Sequence, residues 1–338
     1  MGKSVLHVVR SDLEPGQILG YRKSGQPIYA IGGAAPTDID VDNWIAVENT
    51  SQVIMRVRQA SAIEGYAVPT PMATSTKDVP RSGGVKVAAG TNYTAADDDA
   101  TQDKVTLHAR RFIARVSLDE DDLADSFVNI IQTKGLEWAT SYAKVFDNAC
   151  LAVTGAENGT TIPFTSVYKS LRTTNTATGY NADDNYLTWN ASVGTSGYSQ
   201  LSKALGKVEQ GDYFSLPDMR VIAHTAFREG MRGIKDTNDR PIFVEGLAGT
   251  PDTLFGIEVR WTNGAKTSAV NSQAPTGNPL LFFCNRTFLQ MGVRSGPEVL
   301  SAPARPQDDT DDFSIKFRSR RGFVLGHERA VSVVEKTG

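Results

Sequence analysis

The stretch KVTLHARRFIARVSLDEDDLADSF, residues 104–127, is the feature that most restricts how this chain can fold. Its first half alternates as a strand does, with Val105, Leu107 and Ala109 on one face. At Arg110-Arg111 the alternation slips by one, and Phe112, Ala114, Val116 and Leu118 share the next face. The side-chain period of a strand is two, so a one-residue slip sends the apolar set to the opposite side. The alternation alone leaves open why one long strand turns its apolar face over just before a helix.

A helix is predicted directly after the slip. Ser117-x-x-Glu120 reads as a capping box, and Asp119, Glu120, Asp121 and Asp122 bring negative charge to the helix N-terminus. Leu123, Phe127, Ile130, Lys134, Trp138, Tyr142, Val145 and Ala149 then recur at three- and four-residue spacing, a mostly apolar stripe closed by Gly155 and Gly159. A helix of about 35 residues would span roughly 50 Å.

Before the slip, residues 69–104 are polar and poor in large side chains, too long for a routine connection inside a compact domain. They read as disorder, or as a long hairpin leaving the body with KVAAGTNYT and DKVTLHARR as its sides and Asp97-Asp98-Asp99 as a solvated tip. Residues 1–45 have only short apolar runs and read as an extended arm that packs on something else. The segment 49–68 suggests a helix or strand leading out of it.

From about 163 to 300 the pattern is mixed. YSQLSKALGKVEQGD and AFREGMRGIKD read as helices, and MRVIAHT, TLFGIEVRW, PLLFFCN and TFLQMGV as strands, with turn chemistry at TNDRP. The end, FSIKFRSRRGFVLGHERAVSVVE, reads as two more strands with Gly322 between them.

Little in the sequence carries chemistry. It has no P-loop, dinucleotide glycine fingerprint, HExxH or GxSxG elbow. His7, His108, His224 and His327 are far apart, and Cys150 and Cys284 alone make neither a disulfide framework nor a metal spacing. No catalytic, cofactor-binding or metal-ligating residue is assigned, and no cofactor is expected. His327-Glu328 reads as a surface hydrogen-bonding pair, and the acidic run at 308–312 as a solvated loop rather than a cation site. A net charge of −3 and a pI of about 5.9 argue against gripping nucleic acid by bulk charge. No apolar run approaches a membrane span.

What remains is an arm, a long hairpin, a very long helix and a mixed body. Arms and hairpins bury little on their own subunit and make sense if their partners are other subunits. Contact candidates are therefore Asp97, Asp98, Asp99, Lys104, Arg110, Arg111, Arg318, Arg320 and Arg321. Arg318 and Arg320 share a strand face, which favours a neighbour's carboxylates over DNA.

Four stretches carry a family resemblance: ARRFIARVSLDEDDLADS at 109–126, VFDNACLAVTGAENG at 145–159, GMRGIKDTNDRPIF at 230–243 with LFGIEVRW at 254–261, and FSIKFRSRRGFVLGHERAVSVVE at 313–335. In order and over nearly the whole chain they resemble the major capsid proteins of tailed bacteriophages, the Hong Kong ninety-seven fold. The resemblance implies an α+β fold with an N-terminal arm and lead-in (1–62), an extended β-hairpin loop (63–117), a peripheral domain with a spine helix (118–162), an axial domain (163–300) and peripheral closing strands (301–338). It implies hexamers and pentamers in an icosahedral virion shell around double-stranded DNA held non-specifically. The shell would be assembled in the host cytoplasm with a portal, a separate scaffolding protein and, in some relatives, a decoration protein. Residues 112–118 would then pack on their own body and 104–109 on a neighbouring subunit, with Arg110-Arg111 marking the change of partner as a β-bulge. The founding member joins a loop lysine to an asparagine in its closing strands. Here Lys77, Lys86 and Lys104 offer the lysine, but no asparagine follows Asn285, so no cross-link is expected. An encapsulin-like compartment shell is the alternative.

Overall fold

The fold was analysed in a computed structural model, which describes residues 18–21, 27–29, 60–81, 87–90, 103–119, 130–190, 196–234, 243, 245–246, 250–302 and 312–337. Residues 1–51 form one unit, in which β1 (Ile18–Tyr21) pairs antiparallel with β2 (Pro27–Tyr29). Residues 52–338 form the second.

The second unit is organised by two sheets. The larger contains β7 (Tyr186–Trp189), β14 (Val331–Lys336), β11 (Leu280–Asn285), β8 (Met219–Ala223), β10 (Ile257–Trp261) and β9 (Asp252–Leu254), in that order across the sheet. Every residue of β11 is buried. Its continuous apolar run is explained by cores on both faces: Leu280, Phe282 and Cys284 enter one, Leu281 and Phe283 the other. The second core is closed by α4 (Ser196–Glu209) through Leu201, Ala204 and Val208, and by α5 (Phe227–Arg232) through Phe227 and Met231.

The smaller sheet has the order β3 (Val68–Pro71), β12 (Leu289–Ala302), β13 (Asp312–Leu325), β6 (Arg110–Asp119). Its inner face packs on α2 (Ile130–Leu151). Trp138 stacks between Tyr142 (5.2 Å) and Phe317 (5.4 Å), and Phe112 meets Tyr142 and Phe146 edge-on. Such pairs each contribute about 0.5–1.5 kcal/mol beyond their buried area. Two shorter helices, α1 (Ala62–Tyr66) and α3 (Val167–Leu171), complete this core. The helices and strands expected between 196 and 289 are present with one correction: TLFGIEVRW is not a single strand but a hairpin, β9 and β10 pairing antiparallel across a turn at Phe255-Gly256, both at positive φ, while the TNDRP turn lies outside the described residues.

The slip in the opening stretch is a change of sheet. β5 (Asp103–His108) pairs with β4 (Thr76–Arg81) in a separate two-stranded ladder, and β6 pairs with β13. The break falls at Ala109, whose N–H donates to Ser75 O at 2.8 Å, and no bulge is involved. Gly292 and Gly322 face each other in the smaller sheet where the ladder crosses it. A Cβ on Gly322 would stand 3.1 Å from His108 O, tighter than an ordinary contact, so a side chain here would press on the crossing backbone.

Four expectations are corrected. The strand opposite β5 is 76–81, not KVAAGTNYT. Leu107 is fully buried in its own chain, so the base of the ladder is not turned wholly to a neighbour. Ser117 lies inside β6 opposite Ser314, so it caps no helix. Strand alternation continues through the capping-box residues to Asp119, because ten ladder pairs outweigh one cap. Residues 120–129 of the expected long helix lie outside the described residues; its described part runs from Ile130 to Leu151, 22 residues, about 33 Å at 1.5 Å per residue. Finally, Gly322 lies within β13, and the last break comes at Gly326-His327. The two closing strands thus divide between the sheets.

Candidate assembly surface

Three features of the second unit bear on function: the anchorage of the hairpin, the fate of its arginines, and the open face of the smaller sheet. The anchorage is polar and buried. Asp147, fully buried on α2, accepts from Ser61 Oγ (2.5 Å), Ala62 N (3.0 Å), Ile63 N (3.2 Å) and Thr262 Oγ1 (2.6 Å). Ser61 is also the N-cap of α1, accepting from Glu64 N. One carboxylate therefore binds the entry to β3 and the hairpin onto the long helix and the end of β10. Burial pushes the Asp147 carboxyl above the usual carboxylate range, against the Ser61, Thr262 and backbone donors that favour the charged form. Asn148 beside it donates to Gly264 O and Lys266 O and fixes the following loop.

At its base the hairpin is held by charge. Arg81 pairs with Asp103 and donates to Gly326 O at 3.1 Å; Lys104 pairs with Asp78 at 2.7 Å. Hydrogen bonds from Lys104 and Thr106 hold the Asp78 carboxyl below its ordinary value, and the Arg81 guanidinium does the same for Asp103. The Lys104–Asp78 pair is at the surface and contributes little to stability, while Arg81–Asp103 is partly buried.

The contact candidates separate into groups. Arg110 is engaged inside the chain, with Glu157 Oε1 at 2.8 Å and Pro163 O at 3.3 Å. Arg321, 8% exposed, binds Glu64 Oε1 at 2.9 Å and Ser295 O at 2.6 Å, and Tyr142 OH donates to the same Glu64 oxygen. Lys104 and Arg318 each meet one acid at the surface, Arg318 with Glu298 at 2.6 Å. Arg111 and Arg320 stand directly opposite each other in the β6–β13 register, with no carboxylate partner among the described residues. Asp97, Asp98 and Asp99 lie outside the described residues, as does most of the acidic run at 308–312. Sequence reasoning missed Asp147 and Glu64, since lone acids in apolar and polar surroundings give no motif.

The remaining chemical candidates are structural. His327 Nδ1 accepts from Arg329 N and its ring stacks on Tyr213 at 4.0 Å. Glu328 is buried rather than superficial, because Asn175 and Thr178 donate to it. Among the described residues no group of three His, Cys, Asp or Glu is placed to hold a metal, and no helix is long and apolar enough to cross a membrane.

This architecture is shared with solved phage structures. A chain of Mycobacterium phage Bobi superposes with a TM-score of 0.64 at 16% identity, covering 88% of this chain and 98% of that one. The capsid of the native GTA particle, computed with C5 symmetry, gives 0.64 at 15%, covering 91% and 100%. A chain of Microbacterium phage Oxtober96 gives 0.62 at 15%, covering 88% and 98%. No curated protein sequence matches the chain. The model of the phage capsid family matches residues 43–335, spanning both sheets, the long helix and the hairpin. The chain belongs to the phage capsid family, as a structural major capsid protein of the tailed-phage fold.

Proposed function

We propose that many copies of this chain, as hexamers and pentamers, tile the icosahedral head of a tailed phage around non-specifically held double-stranded DNA, and that the chain has no enzymatic role. The observation that carries this reading is the two-stranded ladder of β4 and β5, tied to the body at Asp147 and Gly322 yet exposed along most of β4. A ladder with little covering on its own subunit is suited to a neighbour. In this reading residues 1–62 are the arm and lead-in, 63–117 the extended loop, 118–162 the spine region, 163–300 the axial domain and 301–338 the closing strands. The portal, a separate scaffolding protein and, where used, a decoration protein are the further partners, with assembly in the host cytoplasm. Bulk charge of −3 suits a container that does not bind its DNA tightly. The encapsulin-like alternative is not favoured, since the matching family is that of phage capsids.

Hydrogen exchange of 69–109 in the isolated subunit and in assembled particles tests the role of the loop. Protection that rises on assembly supports the reading; equal protection in both states ends it.

A further inference from the structure

The face of the smaller sheet turned away from α2 gathers cations from three strands. By alternation it carries Arg111 and Arg115 from β6 and Lys316, Arg318 and Arg320 from β13, and Arg115 donates along it to Ser314 Oγ at 3.0 Å. Arg294 of β12 stands close enough to act on Arg320. Arg111 foremost, then partial burial, then Arg294 and Arg318 push the Arg320 guanidinium below its ordinary value. Glu298 holds Arg318 at 2.6 Å, and positions 119 and 312, both aspartate, fall on the same face at its far end. Six cations against these three acids leave the face at +3, and with −3 over the whole chain the rest carries a formal −6.

The cations crowd at one end. Arg320 stands directly opposite Arg111, with Arg318 and Arg294 beside it. Like charges directly opposite each other weaken a ladder, so this rung destabilises the subunit that carries it. From the Arg111–Arg320 rung to the Arg115–Lys316 rung is four residues of strand, about 13 Å, and three strands make the array about 10 Å wide. Positions 119 and 312 lie about 13 Å further on. Arg318 has its acid in Glu298, whereas Arg111, Arg115, Arg294, Lys316 and Arg320 have no carboxylate partner among the described residues. Ile113, 74% exposed, and Leu300, 43% exposed, lie on this face with the cations of β13 between them, so they form no contiguous apolar patch for a protein partner. Two arginines alone fit a neighbour's carboxylates; a flat array of guanidinium forks fits a chain of phosphates.

We propose that this array, Arg111, Arg115, Arg294, Lys316, Arg318 and Arg320, binds the phosphate backbone of double-stranded DNA without regard to sequence. The proposal rests on the shell reading above, which supplies the DNA, and names the residues that touch it. One strand of a duplex places a phosphate about every 3.4 Å along the axis, so 13 Å of sheet meets about four phosphates. Guanidinium forks take phosphate oxygens two at a time and keep their charge. With the rest of the chain at −6, the array also orients the subunit, presenting this face to the duplex and turning the acidic remainder away.

The test is the anisotropy of a short fluorescent duplex titrated with the unassembled full chain over a range of salt. Four neutralised phosphates give log K against log salt a slope of about −3 to −4. Arg111→Gln with Arg320→Gln weakens binding more than about tenfold and makes the slope shallower by about two; Lys316→Gln makes it shallower by about one. Removing the like-charged rung leaves the Tm of the subunit unchanged or raises it, which separates lost binding from lost folding. Lys203→Gln, on exposed α4 surface, changes neither affinity nor slope, and a duplex of scrambled sequence binds equally. A wild-type slope near zero overturns the proposal. An arginine variant that binds the duplex as the wild type does also overturns it, and if that variant fails to assemble, the face is a contact between protein copies instead. A wild-type chain that forms no particles refutes the shell reading, while the duplex titration of the same chain still decides the array.

Discussion

Replacing Asp147 by alanine tests the buried anchorage most sharply. The carboxylate takes four hydrogen bonds from Ser61, Ala62, Ile63 and Thr262 in a site with no access to solvent. Removing it strands four donors, and each buried donor left without a partner costs about 1–3 kcal/mol. The sum overstates the effect, because the burial cost of the carboxylate disappears and the smaller side chain lets the segment relax. No charge is left unpaired by the change, and the lower part of that sum, about 3–5 kcal/mol, is the expected loss. For a body of this size it corresponds to a fall in Tm of roughly 6–15 °C. The assay is denaturant and thermal unfolding of the unassembled subunit, with hydrogen exchange read at 61–72. Ser61→Ala, which removes one donor and the cap of α1, is expected to cost only about 1 kcal/mol. A loss below about 1 kcal/mol for Asp147→Ala, with unchanged exchange at 61–72, would refute the anchorage.

Three further outcomes are expected. Gly322→Val forces side-chain atoms against His108 O and Met72, should cost about 1–3 kcal/mol and should loosen 103–108 in hydrogen exchange; an unchanged Tm contradicts the crossing. Partial burial first, then the neighbouring Lys266 and Lys336, push His224 down to about 4 from an ordinary 6.5. Its depressed value favours the neutral ring, so its stabilisation is complete above pH 6.5 and is lost as pH falls from 6.5 towards 4; the loss is about 1–2 kcal/mol after allowing for partial exposure, and His224→Asn should flatten that part of the Tm–pH curve. With no asparagine after Asn285, shells boiled in denaturing gel buffer should run as a single 36.5 kDa band, and a ladder of higher bands contradicts this.

Much of the body was legible in the sequence because its cores are built from strong periodic signals. The apolar run of β11, the amphipathic α4 and the turned face at 104–118 all reported their surroundings correctly. The slip at Arg110 announced a change of partner, although the partners are two sheets of one chain and the turn is made by a break rather than a bulge. The errors came where local and tertiary signals compete. Ser117-x-x-Glu120 has the chemistry of a cap, but the ladder with β13 holds Ser117 extended. Gly322 looks like a turn, and is instead the place where a second layer crosses a continuous strand. The site was legible only in part. Arg318 and Arg320 could be placed on one face by alternation, whereas Arg321 and Arg110 could not be separated from them, because their acids, Glu64 and Glu157, are distant in sequence. The facing of Arg111 with Arg320, and of Asp119 with Asp312, exists only once the register is known.

The most direct measurement for the whole account is electron microscopy of the purified chain after gentle size exclusion, alone and with a scaffolding partner. The account predicts closed polyhedral shells, or flat arrays of hexamers, with the β4–β5 ladder of each subunit lying on a neighbour. A folded monomer or dimer that stays unassembled under both conditions would contradict it.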